Sequence, residues 1–477
     1  MRLKIKIFVS HKKNCMSQKP SIPKGTRDFS PEEVLRRNYI IDILKQSFEQ
    51  FGFQPIETPS FENSSTLMGK YGDEGDRLTF KILNSGDYLS KVTEEAYASK
   101  DSGALTTEIS DKALRYDLTV PFARYVVQHQ NELTFPFKRY QVQPVWRADR
   151  PQKGRFREFY QCDADAVGST SLLQEIDFIQ LYDTVFTKLN LKGVSIRINN
   201  RKILSGLAEI IGAGDKLIPF TVALDKLDKI GEEGVIKEMR ENGIDDNAIA
   251  KLKPIFNLSG EPLHKLEQLD AIMGESAIGK DGIRETRFIL EATKILGLET
   301  ATLDLDVTLA RGLNYYTGSI FEVSAPASVK IGSIGGGGRY DDLTGIFGLN
   351  DMSGVGISFG LDRIYLALEE LDLFPTTAIR ETDVLFLNFG EKEALYCLKI
   401  IKTLRSGNVM AELYPDAAKM KKQMGYADRR NIPYVVLAGT QEMAEGYLTL
   451  KNMKSGEQHK VDASELVKTI AASRGQS

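Results

Sequence analysis

The chain has little of what many enzyme centres are built from. Of its 477 residues only 3 are cysteine, 4 are histidine and 1 is tryptophan. Cys15, Cys162 and Cys397 show no paired spacing, so neither a disulfide framework nor a zinc site is indicated, and a reduced setting fits. His11, His129, His264 and His459 lie far apart, which argues against imidazole acid–base chemistry and against a histidine-rich metal centre. No apolar run approaches the ~20 residues of a membrane span. Neither sign of charge dominates, with 62 Lys+Arg against 65 Asp+Glu and a net charge of −3. That balance neither favours nor excludes nucleic acid, which needs only a local basic face. Internal repeats and low-complexity tracts are also missing.

What is present describes an ordinary globular chain, 42% hydrophobic and 27% charged, long enough for two or three domains. Met1 to Cys15 is basic, and its apolar stretch Ile5 to Val9 is shorter than the roughly 7–15 residues of a signal-peptide core. It reads as an extension, disordered or upstream of a second start at Met16, and residues 1–22 are set aside as such. Ser30-Pro31-Glu32-Glu33 carries helix-start signals. The helix that follows presents Leu35, Ile40, Leu44, Phe48 and Phe51 on a recurring face and ends at Gly52.

Leu114 to Pro121 alternates like a strand running into a proline-marked turn and helix. Phe137 to Trp146 and Arg157 to Val167 read as antiparallel strands around the polar loop Ala148 to Phe156. From about Asn199 to Lys294 the pattern is a mostly helical insertion, and strands resume at Thr302 to Ala310 and Ser319 to Ser324. Near Thr382 the composition shifts. Strands then alternate with helices to the end, which predicts a small, largely parallel α/β domain over 382–477. Asp383 to Ser477 holds 14 Lys/Arg against 11 Asp/Glu, an excess of the sign an RNA-binding module needs.

Arginine carries the chemistry. Between Lys138 and Tyr160 stand 7 Lys/Arg and only 2 acids, including Arg147, Arg155 and Arg157 beside Phe159. A second motif runs Ala310-Arg311-Gly312-Leu313-Asn314-Tyr315-Tyr316-Thr317-Gly318, and a third is Gly360-Leu361-Asp362-Arg363-Ile364. Guanidinium is planar, permanently charged and binds phosphate oxygens in pairs, and an adjacent aromatic can stack a base. An isolated arginine is usually a solvated surface charge; three such motifs in one order and spacing are not. Gly335-Gly336-Gly337-Gly338 lacks the lysine and Ser/Thr of a P-loop and does not match a dinucleotide fingerprint. Lys419-Met420-Lys421-Lys422 reads as a basic helix face.

These motifs, in this order, resemble those of class II aminoacyl-tRNA synthetases, and the Arg311–Gly318 stretch resembles the signature of the histidyl-tRNA synthetase family. The resemblance runs from about Pro23 to the last helix. It implies an α+β catalytic domain with an antiparallel sheet over 23–381, the helical insertion at about 199–294, and a C-terminal α/β anticodon-binding domain over 382–477. It also implies a cytoplasmic homodimer, built through the first long helix and strand, that takes ATP with Mg²⁺, L-histidine and tRNA(His), with no dedicated protein metal cage and no membrane partner.

By the same resemblance, Arg147, Arg311 and Arg363 are catalytic. Arg147, Asp149, Arg155, Phe159 and Arg363 bind ATP. Asp117, Thr119, Arg147, Gln161, Asp165, Arg311, Tyr315 and Tyr316 bind histidine. The chain departs from the family pattern at Asp149, where Glu is usual, at Asn314, where many relatives have Asp, and at Asp117 and Asp165, where many have Glu. The family uses the Gly335–Gly338 stretch as backbone close to substrate. The rival reading is a non-catalytic, histidine-sensing regulatory paralogue of ATP phosphoribosyltransferase. Such paralogues lose the motif arginines and the C-terminal domain, and this chain has both.

Overall fold

The computed structural model describes residues 19–310, 316–378 and 382–474; the Met1 to Cys15 expectation lies outside them. The chain divides into two compact units, Met1–Ser30 with Arg37–Leu373, and Pro31–Arg36 with Phe374–Ser477.

The first unit is built on an eight-stranded mixed sheet. In chain order its strands are β1 (Gln54–Pro55), β5 (Phe137–Trp146), β6 (Glu158–Val167), β7 (Ser195–Asn200), β8 (Thr302–Leu305), β9 (Ser319–Ser324), β10 (Gly335–Tyr340) and β11 (Gly354–Gly360). A small antiparallel sheet of β2 (Phe61–Asn63), β3 (Lys81–Ile82) and β4 (Lys112–Leu114) stands beside it. The large sheet runs β1-β5-β6-β11-β10-β9-β7-β8. Only its outer pairs, β1/β5 and β7/β8, are parallel.

The two faces of this sheet differ in chemistry. Tyr140, Cys162, Ala164 and Phe359 point to one side and are buried. There the Pro31–Gln50 helix brings Phe48, whose ring centroid is 5.8 Å from that of Phe359. The Leu173–Lys188 helix brings Tyr182, 4.7 Å from Phe359. On the opposite side, period-two alternation lines up Arg139, Gln141 and Gln143 against Asp165, Asp163 and Gln161. The next strand over continues these rows with Gly356, Ser358 and Gly360. A strand buried on both faces ordinarily reads as continuously apolar. Polar residues at every second position therefore mark a face kept for something other than packing.

Two elements differ from their sequence reading. The alternating stretch Leu114 to Pro121 is not a strand, since β4 ends at Leu114 and a helix begins at Thr119. Arg115 turns fully inward, and its guanidinium donates to the carbonyls of Pro144 (2.8 Å), Thr58 (2.7 Å) and Pro59 (3.0 Å). Strand β8 stops at Leu305 because Asp306 accepts hydrogen bonds from the Thr308 amide (3.0 Å) and hydroxyl (2.6 Å) and turns the chain.

The second unit carries β12 (Val384–Phe386), β13 (Ala411–Leu413), β14 (Tyr434–Leu437), β15 (Leu448–Asn452) and β16 (Gln458–Val461) in the order β13-β12-β14-β15-β16. Its sheet is mixed, not largely parallel, because β14/β15 and β15/β16 are antiparallel. A tight turn with Gly456 at φ 78° joins the last pair, so no helical crossover separates them. Between β7 and β8 the described chain is helical, from Arg201–Ile210 to Ala277–Leu296.

Candidate active site

The polar face of the large sheet floors a cavity of about 490 Å³. Arg147, Asp149, Arg155, Phe159, Gln161, Tyr316 and Arg363 all line it, with Gly335–Gly337 and Ser358 on the floor. Seven residues singled out in the sequence therefore meet around one space. Arg311 and Tyr315 lie outside the described residues.

The loop joining β5 and β6 forms one wall. At its tip Gln152 and Arg155 exchange backbone hydrogen bonds of 3.1 and 2.9 Å, closing a turn in which Gly154 has φ +72°, a conformation that favours glycine. Its root is held from three sides. The Arg147 amide donates to Arg157 O (2.9 Å), Ala148 N to Leu78 O (2.8 Å), and Arg157 N to Gly25 O (2.8 Å). Within the loop Arg155 pairs with Asp149 at 3.0 Å. Arg147 Nε donates to Tyr116 O at 3.0 Å, and its guanidinium carbon sits 4.2 Å from the Tyr116 ring centroid and 5.2 Å from that of Phe159.

Arg363 opens the Leu361–Glu370 helix. It donates from Nε to Gly154 O (3.2 Å) and from Nη1 to Ser333 O (2.6 Å). Its neighbour Asp362 lines the same cavity and receives two arginines, Arg27 at 2.7 Å and Arg37. The Arg27 guanidinium also lies 3.3 Å from the Phe156 ring centroid.

The remaining sequence-derived residues sit beside or beneath the cavity lining. Asp117 is buried, accepting from the Tyr71 hydroxyl (2.8 Å) and the Val120 amide (3.1 Å), and Thr119 starts the next helix. Asp165 is 2% exposed and lies below the floor. It pairs with Arg139 at 2.7 Å and accepts from the Tyr340 hydroxyl at 2.5 Å. The glycines around it are set by close approach. A Cβ on Gly356 would fall 1.9 Å from Asp165 Oδ1, and one on Gly338 would fall 2.8 Å from the Tyr316 ring.

Asp163 is one of the residues sequence reasoning missed. It lies between Gln161 and Asp165 on the same strand face and is 3% exposed. Burial pushes its carboxyl up to about 7; Arg139 opposes this, the Asp165 and Asp117 charges reinforce it, and the Ser358 hydroxyl also opposes it. Burial likewise raises Asp117 and Asp165 above the ordinary carboxylate range. The available signal was the Gln161-Cys162-Asp163-Ala164-Asp165 alternation itself. Arg27, Arg37 and Tyr71 had none, since each reaches the site only through the fold.

A cavity walled by guanidinium groups and aromatic rings, floored by glycine backbone and continued by buried acids, suits a nucleotide beside a small cationic substrate. Comparisons with known proteins agree with that chemistry. A family model described as histidyl-tRNA synthetase matches residues 101–364, and one described as anticodon binding domain matches 383–473. Histidine--tRNA ligase of Christiangramia forsetii is 71% identical over 447 residues, 94% of this chain and 98% of that protein. Its counterpart in Flavobacterium johnsoniae is 63% identical over 95% of this chain and its own full length. The crystal structure of histidyl-tRNA synthetase from Nostoc sp. PCC 7120 superposes with a TM-score of 0.80 at 31% identity, covering 95% of this chain and 99% of that one. This chain belongs to the histidyl-tRNA synthetase family.

Proposed function

We propose that the chain ligates L-histidine to tRNA(His) in two steps. The histidine carboxylate attacks the α-phosphorus of ATP; the new C–O–P bond forms as the bond to diphosphate breaks. A ribose hydroxyl at the tRNA 3′ end then attacks the adenylate carbonyl, and AMP leaves. Both reactants of the first step are anions, so fixed positive charge and in-line positioning supply most of the catalysis.

In this reading Arg147 meets the α-phosphate and the histidine carboxylate, Phe159 stacks on adenine and Arg363 takes the γ-phosphate. Arg155 and Asp149 shape the nucleotide wall, and Arg311 faces the α-phosphate from the other side. Asp117, Thr119 and Gln161 hold the α-ammonium. A support for Gln161 is its Oε1, buried at the cavity without a hydrogen-bond partner among the described residues. Tyr315 and Tyr316 address the imidazole, and Asp165, held beneath the floor by Arg139 and the Tyr340 hydroxyl, supplies negative charge behind that pocket. Mg²⁺ enters as part of the nucleotide substrate. Among the described residues no group of three or more His, Cys, Asp or Glu is arranged to hold an ion. The second unit is the anticodon reader. The working form is a cytoplasmic homodimer. Among the described residues no helix is long and apolar enough to cross a membrane.

The observation that carries the reading is the convergence of Arg147, Phe159, Gln161 and Arg363 on one cavity. It also disfavours the regulatory alternative, for which these arginines and the second unit have no use. Amino-acid-dependent ATP–diphosphate exchange across the twenty amino acids, without tRNA, tests it. Exchange with histidine alone is expected. No exchange with any amino acid, from folded protein, would overturn it and turn attention to histidine binding without catalysis.

A further inference from the structure

Tyr71 lies just before the short Gly72–Leu78 helix, outside every motif described above. Its hydroxyl donates to Asp117 Oδ1 at 2.8 Å. Its ring centroid is 4.7 Å from that of Tyr116, and Tyr116 in turn underlies Arg147 at 4.2 Å. One side chain thus touches the acid assigned to the substrate ammonium and backs the arginine assigned to its carboxylate. We propose that Tyr71 is a positioning residue for the amino-acid end of the substrate, fixing the Asp117 carboxylate through its hydroxyl and the Tyr116–Arg147 stack through its ring. The proposal rests on the reading of Asp117 given above.

Tyr71 is itself held in place. It packs against the cluster containing Leu67, Val120 and Phe122. Behind it a Cβ on Gly75 would fall 2.2 Å from the Tyr71 Cβ, and Asp76 closes the turn by accepting from the Gly69 amide at 2.8 Å. Both hydrogen bonds on the Asp117 carboxylate, from Tyr71 and from Val120, fall on Oδ1. Oδ2 is therefore the acceptor the proposal assigns to the ammonium. Hydrogen bonds donated to a carboxylate favour its ionised form, and only the ionised form pairs with a cation. The charged groups that act on Asp117 are the cations Arg147 and Arg139 and the acids Asp163 and Asp165. Burial raises the Asp117 carboxyl, and the Tyr71 hydroxyl, Arg147 and the Val120 amide pull it back.

Tyr71→Phe removes the hydroxyl and keeps the ring. The expected result is a rise in KM for histidine on the order of tenfold, larger at the acid end of the enzyme's working pH range than at its alkaline end, because burial already raises the Asp117 carboxyl and loss of the hydroxyl raises it further. KM for ATP and kcat of exchange should stay within about twofold. The imidazole of free histidine titrates alike for both proteins, so it cancels in the comparison. In an Asp117→Asn background the Tyr71→Phe effect should vanish, a double-mutant cycle that isolates the pair. Calorimetric titration of histidine into the same four proteins reads the effect without turnover. An unchanged histidine KM across that pH range, an equal rise in both KM values, or a Tyr71→Phe effect that persists beside Asn at 117 would overturn the proposal. If Asp117→Asn alone leaves histidine binding intact, the reading of Asp117 fails, and the role of Tyr71 fails with it.

Discussion

At the scale of single residues, the floor of the cavity stores charge that the fold tolerates poorly. Asp117, Asp163 and Asp165 are all buried, and Arg139 is the cation that opposes all three. Asp163 bears most visibly on stability. An unfolded aspartate releases its proton near 3.9, whereas folded Asp163 holds it to about 7. Below 3.9 both states are protonated and the group is neutral to stability. As pH rises from there to 7, the unfolded state ionises first and stability is progressively lost; above 7 the loss is constant. Asp163→Asn removes this dependence while keeping shape. The variant should therefore gain on the wild type by roughly 2 kcal/mol between pH 5 and pH 8, read as denaturant midpoints at the two values. A difference that stays flat, or reverses, would mean that Asp163 is ionised throughout and that its neighbours neutralise it.

At the scale of elements, one wall of the cavity is a loop held by pieces far away in sequence. Arg27 reaches Asp362 at 2.7 Å and lies over Phe156 at 3.3 Å, so it ties the N-terminal segment to the β5–β6 loop and to the helix of Arg363. Truncating it leaves Asp362 with Arg37 and frees Phe156. Arg27→Ala should raise KM for ATP by about tenfold, equivalent to ~1.4 kcal/mol, and leave KM for histidine nearly unchanged. An equal effect on both would make the contact a support of the whole site. Such contacts explain what the sequence conceals. The β5–β6 hairpin is legible because alternation and a polar, glycine-bearing loop are local signals. The match of β9 to Ser319–Ser324 is legible for the same reason. Strand β10 is not, since Gly335–Gly338 has no strand propensity and owes its pairing to β9 and β11 on either side. The cavity arginines and Phe159 could be read from motif spacing, whereas Tyr71, Arg27, Asp163 and the inward turn of Arg115 depend on partners that only the fold supplies.

At the scale of the whole molecule, each unit carries a core of its own. The second unit packs Val384, Phe386, Ile401, Leu404 and Leu466 on one side of its sheet and Leu385, Leu387, Ile432 and Val435 on the other. A core of the first unit gathers Leu67, Phe122, Val126, Phe137 and Tyr340, without a residue from the second. The cavity lining is drawn entirely from residues 147–363. Folding and adenylate chemistry should therefore survive loss of the second unit, while recognition of a long RNA should suffer. Truncation after Thr382 is expected to leave histidine-dependent ATP–diphosphate exchange within a few-fold of the full chain and to lower tRNA charging by about 10²-fold or more, the loss of roughly 3 kcal/mol of binding. The two assays, run on one preparation, separate the possibilities. If exchange falls along with charging, the second unit supports the catalytic fold. If charging persists at full strength, it does not read RNA. Loss confined to charging assigns the β12–β16 unit to tRNA.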